Sequence, residues 1–366
     1  MTDRLRAFRA APSLGRRLSI PALLVLAACS AEPQAPTAPP PAPAARPAVV
    51  PAPSPRPETL QERLRRERAE AAQATAAAAP GPASAMMAQY LSGVQDSLLA
   101  RGLLRTDSGE MPGADRLAED FIQIALRDEY VMQGGRLVPQ AHAAPLRRWE
   151  RPVRISVIFG DSVPPATRTR DRGLVADFAD RLQRATGHPV GLTGDNGNFV
   201  VMIVNEDERR SIGPRLAAAI PGIPPADLSA IERLAPQNYC TVFAYSPGAG
   251  AAYSNAVAVI RAELPDRLRL SCIHEELAQG MGLANDSPTA RPSIFNDDEE
   301  FAYLTAHDER LLKMLYDPRL RPGMTEAEAR PIVARIAAEL ASGPEPAPAP
   351  ALEGASSRRK PWSSTS

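Results

Sequence analysis

Apolar residues in the middle of the chain recur with the two periods that separate strands from helices. Four strands are predicted: a half-buried strand with alternating apolar positions from Val153 to Phe159, a nearly all-apolar central strand at Phe199–Val204, and two more at Thr241–Ala244 and Ala256–Ile260. The pattern therefore predicts a sheet built from the middle of the chain.

Helical periods lie before, between and after these strands. They predict helices at Ala85–Leu99, at Ala114–Glu129, around Leu174, Phe178 and Leu182, at Asp227–Leu234, from His307-Asp308 onward, and at Glu326–Leu340. One more helix carries an apolar stripe at Leu270, Ile273, Leu277 and Met281. Together they predict an α/β (α+β) domain with its core at 150–325, long enough to bury one adequate hydrophobic core.

The first 28 residues have the layout of a bacterial export signal. Five arginines precede a short apolar run, Ile20–Ala28, which is too short to span a membrane and ends in small residues. The sequence Leu-Ala-Ala-Cys that ends at Cys29 resembles a lipobox. We therefore expect cleavage before Cys29 and a lipid on that cysteine. An ordinary signal peptide that contains a cysteine is the alternative.

The residues around this cysteine indicate the cellular address. Ser30, in place of Asp, favours the outer membrane over the inner one by resemblance to other bacterial lipoproteins. The pair Arg16-Arg17 leaves a twin-arginine signal open beside the general secretory one. We expect a protein of the bacterial cell envelope that is anchored to the membrane through Cys29 and faces the periplasm.

Composition divides the rest of the chain. Residues 29–58 are rich in Ala and Pro, which predicts an extended tether. Residues 59–84 are predicted to form a stalk helix that begins at a capping box, Thr59 to Glu62. The globular domain is expected at 85–341, and the Pro/Ser/Arg tail at 342–366 is expected to be disordered.

Charge limits the partners. Removal of residues 1–28 takes away five Arg and one Asp, so the net charge moves from 0 to −4. A chain of that charge offers no basic surface for a nucleic acid. Arg outnumbers Lys 40 to 2, which together with the Ala and Pro content indicates a GC-rich genome. The expected partners are the membrane, through the lipid, and a protein or cell-wall component of the envelope.

The three cysteines fit an exported protein. With Cys29 used for lipid, Cys240 and Cys272 remain as a pair in an oxidising compartment. A disulfide between them links a predicted strand to the striped helix and contributes roughly 3–4 kcal/mol in the chain-entropy description. Two buried free thiols are the alternative.

The segment Ser271–Ser287 has the frame of a zinc-protease helix in which the zinc ligands are replaced. Extended helices of that kind carry His and Glu, a second His four residues after the first, then a Gly and a third ligand. With Gly282 as the glycine, the frame assigns Glu275 to the first histidine, Glu276 to the general base, Gln279 to the second histidine, and Asn285 or Asp286 to the third ligand. Both histidines are therefore missing.

Helix geometry places the replaced positions together. At ~100° per residue, Glu275 and Gln279 lie on one face with Glu276 beside them, opposite the apolar stripe. We predict that these three side chains converge on one cleft, with Asn285 or Asp286 at its rim. A structure in which they point into separate regions of solvent would contradict this frame.

Two histidines near the motif are weaker candidates. His274 projects roughly 100° away from Glu275, and Ala278 four residues later cannot bind a metal, so a zinc site at His274 needs ligands from elsewhere. His307 opens a helix, where a surface or capping role is the alternative to a metal ligand. The acidic run at 296–300 lacks the spacing of a calcium loop and is expected to be a solvated loop. Gly194-Asp195-Asn196-Gly197 is typical of a hairpin turn.

The motif also carries a family resemblance. It covers roughly residues 150–325 and rests on Glu275–Gln279, Gly282-Leu283, Asn285-Asp286-Ser287, Pro292-Ser293-Ile294-Phe295, His307–Leu312, Leu315–Pro318 and Pro322-Gly323-Met324. In these residues the chain resembles the bacterial lipoprotein family known as domain of unknown function 2927, a zincin-like group. It implies a zincin-like domain with a mixed sheet and a site helix, but it implies no activity because the family's own function is not established.

The chemistry of the motif leaves three functions open. Zinc in a protease is held by imidazoles, whereas Glu275, Gln279, Asn285 and Asp286 offer only oxygen, which suits Ca²⁺, Mg²⁺ or Mn²⁺ or no metal at all. A non-catalytic, zincin-like envelope protein is therefore favoured. The first alternative is a peptidase or amidase-type hydrolase with Glu276 as general base and Glu275 and Gln279 orienting a metal or the substrate. The second is a structural lipoprotein in which the motif helix only packs.

Overall fold

The computed structural model describes residues 61, 63, 65 and 66 and the ranges 80–107, 109–133, 136–296 and 298–342. The chain divides into two units, Met1–Glu58 and Thr59–Ser366, and every described residue belongs to the second. The predicted export signal, lipobox and tether lie outside the described residues, as do most of the predicted stalk helix and the tail from 343. Residues 61, 63, 65 and 66 are helical.

Helices and strands of the described residues alternate along the chain. The helices are α1 (Pro82–Ala100), α2 (Ala114–Ala125), α3 (Pro165–Thr186), α4 (Glu206–Arg209), α5 (Gly213–Ala219), α6 (Pro225–Glu232), α7 (Asp266–Gln279), α8 (Ala306–Leu315) and α9 (Glu326–Ser342). The strands are β1 (Arg127–Gln133), β2 (Arg136–Ala143), β3 (Arg148–Trp149), β4 (Val153–Phe159), β5 (Val190–Leu192), β6 (Phe199–Val204), β7 (Cys240–Tyr245), β8 (Ala252–Tyr253) and β9 (Asn255–Arg261). The α+β class predicted from the sequence is confirmed.

The main sheet is mixed, as predicted. Its five strands lie in the order β5-β4-β6-β9-β7; the first four are parallel, and β7 pairs antiparallel with β9. Within the described part of the chain, no strand pairs with the outer edge of β7. Two smaller sheets accompany it, an antiparallel pair of β1 with β2 and a parallel pair of β3 with β8.

Both faces of the main sheet are buried, which explains the all-apolar run at β6. Phe199, Val201 and Ile203 point into a large core that also contains the apolar faces of α3 and α7. The intervening Val200 and Met202 point into a smaller core closed by α5 and α6. A central strand with a helical layer on each side needs apolar residues at every position.

The C-terminal end of α7 is fixed by contacts to its main chain. The Trp149 indole N–H donates to the Gly280 carbonyl at 2.8 Å, and the Tyr316 hydroxyl donates to the Met281 carbonyl at 3.0 Å. Gly282 then adopts φ +124° against the backbone of Arg147, where an added Cβ would lie 2.3 Å from the Arg147 carbonyl oxygen. Only glycine fits this conformation and this close approach, so steric constraints explain the glycine at this position of the motif.

The predicted helix Ala114–Glu129 is wrong at its end, because α2 ends at Ala125 and a strand begins at Arg127. Asn285, far along the chain, satisfies the last turn of the helix: its backbone N–H donates to the Ile124 carbonyl and its side-chain amide donates to the Gln123 carbonyl. A residue distant in the sequence therefore caps the end of the helix, and local periodicity cannot predict such a contact.

The predicted hairpin at Gly194–Gly197 is also wrong. The segment does turn, with Asn196 at φ +56°, but it joins β5 to β6, which pair in parallel with opposite sides of β4. Gly197 lies against the β4 backbone, and an added Cβ would be 2.6 Å from the Arg154 carbonyl oxygen. The glycine permits the chain to pass close to β4. The same four residue types also suit a hairpin turn, so the sequence alone does not distinguish the two connections.

Candidate functional site

A pocket of about 940 Å³ lies between β7 and α7. One wall is formed by residues 239–244 and the other by the polar face of α7. Residues 233–235, 237 and 238 and the loop that follows α7 contribute further lining, and Asp128, Arg147 and Tyr253 also line it. The edge strand of the main sheet and the motif helix therefore face the same space.

The α7 wall carries the residues that the motif frame singles out. Ser271, Glu275 and Gln279 follow at intervals of four residues, so they share one helix face, and all three line the pocket. Glu276 lines it too, although only 4% of the residue is exposed. Ile273 and Leu277 on the opposite face are fully buried. The structure brings Glu275, Glu276 and Gln279 together, and their catalytic or metal-binding roles stay predictions.

Of the two candidates after the helix, Asp286 lines the pocket and Asn285 does not. The Gln279 amide donates to the Asp286 carboxylate at 3.3 Å, which ties the end of the helix to the following loop. The Asn285 amide nitrogen instead donates to the carbonyls of Gln123 and Asp286, and the residue is 2% exposed. Of the two residues predicted for the rim, Asp286 is the one at the pocket, because the side-chain nitrogen of Asn285 caps α2. The metal-ligand roles of both residues stay predictions.

The β7 wall offers main-chain groups. All six residues of β7 are partly buried. The Arg261 N–H donates to the Tyr239 carbonyl across the ladder with β9, and residues of an antiparallel pair alternate between bonding to the partner and facing away. The N–H and C=O groups of Cys240, Val242 and Ala244 therefore face the outer edge of the strand. Extended backbone with edge-facing polar groups lies beside the carboxylates of α7.

A disulfide joins the two walls, as predicted from the sequence. Cys240 on β7 is bonded to Cys272 on α7, with a Cα–Cα distance of 6.0 Å and a sequence separation of 32. The Cys240 side chain and its alternate neighbours Val242 and Ala244 therefore point toward α7. The bond fixes the distance between strand and helix at one end of the pocket.

Asp128, Arg147 and Tyr253 are among the lining residues that the sequence did not predict. The Arg147 guanidinium makes two bonds to the Asp128 carboxylate, at 2.5 and 3.0 Å, and burial raises the pKa of the neighbouring Tyr253 to about 12. Arg147 and Asp128 are 19 residues apart and belong to no local motif. The approach of Gly282 to Arg147 brings them to the end of α7, a contact between residues more than 130 positions apart that no local pattern in the sequence reveals.

His274 lies outside the pocket, in agreement with the helix geometry. Its ring stacks on Phe178 with ring centroids 4.1 Å apart, and its Nδ1 accepts from the Leu304 N–H at 3.0 Å. Burial lowers the pKa of His274 well below its usual value, with a smaller contribution from Arg181. The imidazole is thus a neutral core residue that links α7 to the segment before α8.

His307 has neither of the roles weighed for it. It is fully buried and its Nε2 lies 3.1 Å from an Asp120 carboxylate oxygen on α2, away from the pocket. The N-terminus of α8 is capped by Thr305, whose side chain accepts from the Asp308 N–H in a capping box. The prediction of a surface or capping histidine is wrong because Thr305 caps the helix and the Asp120 contact keeps the imidazole inside.

The acidic run at 296–300 is only partly solvated. Asn296 is buried, and its side chain accepts from the Asp298 N–H. Asp298 and Glu300 form ion pairs with Arg291, while Glu299 lines the pocket. Among the residues that the structure describes, no group of three or more His, Cys, Asp or Glu side chains is arranged to hold a metal ion.

The comparisons with known proteins show the family. The family described as "Protein of unknown function (DUF2927)" matches residues 114–335, and the chain belongs to it. No curated protein and no solved structure matches the chain. Over the part of the chain that is described, no helix is both long and apolar enough to cross a membrane.

Proposed function

We propose that this protein is a lipid-anchored protein of the bacterial cell envelope whose zincin-like domain binds extended polypeptide segments and does not hydrolyse them with zinc. The observation that carries the proposal is the outer edge of β7, which lines the pocket next to the polar face of α7. A segment in that space can bind as an additional strand.

Strand addition suits the geometry of this edge. Cys240, Val242 and Ala244 turn their main-chain donors and acceptors outward, so a bound backbone finds hydrogen bonds at every second residue. Main-chain bonds of this kind supply affinity without dependence on sequence, and neighbouring side chains supply specificity. The lining residues of α7 stand where alternate side chains of the added strand point.

The side chains of α7 argue against zinc chemistry. The two positions that hold imidazoles in the zinc-protease frame are Glu275 and Gln279, and the nearby His274 is buried against Phe178 on another face. A borderline-soft ion held by imidazoles has no such ligands here. The order of β4, α3, β6 and then α7 supports the zincin-like reading of the domain.

The envelope address rests on the sequence and on the disulfide. The lipobox-like end of the export signal predicts a lipid on Cys29. The bond between Cys240 and Cys272 is the kind that persists in an oxidising compartment. Radiolabelled palmitate fed to expressing cells should label the wild-type protein and not a Cys29→Ser variant; label on both, or on neither, contradicts the anchor.

Binding is tested with peptides. A positional-scanning library of nonapeptides, each with an N-terminal fluorophore and an amidated C-terminus, is titrated with the purified full-length protein, and fluorescence anisotropy reports the complex. We expect saturable binding that Val242→Pro abolishes, since proline removes an edge-facing N–H. Absence of binding by every pool, or unchanged binding to the variant, overturns the proposal.

One observation favours the alternative of a hydrolase. Glu276 is almost completely buried yet lines the pocket, which is an environment typical of catalytic carboxylates. The same library, incubated with the protein and analysed by mass spectrometry, distinguishes the two functions. Cleavage that disappears in Glu276→Gln supports the hydrolase, whereas intact peptides support binding alone.

A further inference from the structure

The pocket reaches both faces of the main sheet at the edge of β7. The face toward α7 carries the motif residues. On the other face, Thr241 and Phe243 of the strand line the pocket together with Ala230 of α6 and Leu234, which follows that helix. A segment paired with the edge of β7 therefore meets lining residues on both sides of its own plane.

Two contacts place α6 along this second face of β7. At the end of the strand, the Tyr245 hydroxyl donates to the Asp227 carboxylate in the first turn of α6 at 3.0 Å. At the start of the strand, the Arg261 guanidinium donates to the Leu234 carbonyl at 3.1 Å, and the Arg261 backbone N–H donates to the Tyr239 carbonyl. Helix and strand therefore run past each other in opposite directions.

The side chains of Thr241 and Phe243 point to the face that α6 covers. The contact of Tyr245 with Asp227 identifies that face, and every second residue of a strand shares it. Phe243 packs against the smaller core beneath α5 and α6 but is only partly buried, whereas every residue of the central strand β6 is buried. The apolar layer on this face thus ends at the edge strand with its last ring half covered.

The helix side chains beside this ring are apolar as well. Asp227, Ala230 and Leu234 follow at intervals of three and four residues, the spacing of one helix face. Ala230 and Leu234 are partly exposed and line the pocket, and so does Arg233, which is exposed to solvent. Ala230, Leu234 and Phe243 are called the α6 subsite below. Water in the pocket contacts apolar side chains there, and a ligand that covers them gains free energy.

We infer that the α6 subsite binds an apolar side chain, so that the pocket selects extended segments with a large aliphatic or aromatic residue opposite Thr241 or Phe243. Residues that lie opposite each other in neighbouring strands point to the same face of a sheet, which directs that side chain at the subsite. The inference rests on the proposed strand addition at β7 and specifies its ligand. Burial of apolar surface gives the selection, and main-chain bonds give the register.

The test uses three nonapeptides with an N-terminal fluorophore, all threonine except at the central residue, which is Leu, Ala or Asn. By anisotropy with the full-length protein, we expect the Leu peptide to bind at least about tenfold more tightly than the Ala peptide, because a larger apolar side chain is buried. The Asn peptide, similar in shape to the Leu peptide, should gain nothing over Ala since burial removes water from its amide. The preference for Leu should persist in 500 mM NaCl, because salt screens only charges.

Variants assign the preference to the α6 subsite. Ala230→Gln fills the subsite with a polar side chain, and Leu234→Ser removes part of its apolar surface. In each, the ratio of Leu to Ala affinity should fall about fivefold, while the Ala peptide keeps its affinity within about twofold. Ala334→Gln, at an exposed position of α9, is the matched control and should keep the full preference. Thermal unfolding checks that each variant is folded, and two subsite variants guard against the loss of one.

The outcomes separate this inference from the proposed function. Equal binding of all three peptides to the wild-type protein overturns the selection of apolar residues and leaves strand addition standing. A preference that survives in both subsite variants overturns the assignment to α6. If only the library binds, its tightest pools decide: apolar residues fixed at alternate positions support the inference, and polar residues there overturn it. Failure of every peptide and every pool overturns strand addition, and the present inference falls with it.

Discussion

The two walls of the pocket present different chemistry to the space between them. The α7 wall presents side chains, among them Glu275, Glu276 and Gln279, and its opposite face is buried in the core. The β7 wall presents backbone groups at its outer edge, while its side chains pack on both sides of the sheet. A ligand between them therefore meets charge on one side and main-chain hydrogen bonds on the other.

This difference separates what each wall contributes. In the proposed function, main-chain bonds at β7 would hold an extended segment, and the side chains of α7 would distinguish one segment from another. The disulfide between Cys240 and Cys272 ties the two contributions into one unit. Substitutions that change one wall and leave the other intact therefore test the separate contribution of each wall.

The largest expected effect is the loss of the bond between the walls. Replacement of both Cys240 and Cys272 by Ala should lower the free energy of unfolding by about 4 kcal/mol, since the unfolded chain loses a constraint over some 32 residues. Urea unfolding of the oxidised wild type and the double variant measures the difference. A difference below about 1 kcal/mol shows that the bond does not constrain the fold in the way described.

The next largest effect is a difference in stability between substitutions on the two faces of α7. Ile273→Ala, on the buried face, should cost about 3 kcal/mol because it leaves a cavity in the core. Gln279→Ala, on the pocket face, is the control and should cost less than about 1 kcal/mol. Both are measured by urea unfolding. Similar losses at the two positions contradict the division of the helix into a core face and a pocket face.

Proline should discriminate between inward and outward groups of β7. Thr241→Pro removes an N–H that the ladder with β9 uses, and we expect a loss of about 2 kcal/mol or more. Val242→Pro removes an edge-facing N–H, so it should destabilise the protein less while it abolishes peptide binding. Thermal unfolding and anisotropy report the two effects. A larger loss of stability in Val242→Pro than in Thr241→Pro would contradict the assignment of the outward-facing N–H to Val242.

The smallest effect concerns acid. Burial lowers the pKa of His274 in the folded protein below the usual 6.5, so the unfolded chain binds more protons between these two values. Stability is therefore complete above about pH 6.5 and falls by up to about 1.4 kcal/mol for each unit of pH below it. His274→Gln should reduce this slope, which urea unfolding at pH 5, 6 and 7 measures. An unchanged slope assigns the acid sensitivity to other groups.

The part of the architecture that depends on local periodicity could be predicted. The stripe Ile273, Leu277 and Met281 is buried as the helical period requires, and Phe199–Val204 is the central strand. The class of fold follows from the same periodicity, whereas the disulfide follows from the number of cysteines and the expected oxidising compartment. Glu275, Glu276 and Gln279 share a pocket because helix geometry alone sets their directions.

The part of the structure that depends on tertiary contacts could not be predicted from the sequence. The end of α2 is set by Asn285, which the motif frame assigned to a metal site. The buried His307 contacts Asp120, which is 187 positions earlier in the chain. Gly197 lies against the backbone of β4, where a side chain would clash. The outer edge of β7 becomes visible only once strand order is known, since no residue type marks a strand as the last one in a sheet.

Amide hydrogen exchange along β7, read residue by residue by NMR, tests the central claim most directly. The full-length protein is compared with and without a saturating amount of the nonapeptide that binds most tightly among the library pools. Strand addition predicts that exchange at Val242 and Ala244 slows at least about tenfold in the complex, because their N–H groups gain acceptors. Thr241 and Phe243, already bonded to β9, should change little. Saturation of the protein with no slowing at Val242 and Ala244 would contradict binding at the edge of this strand.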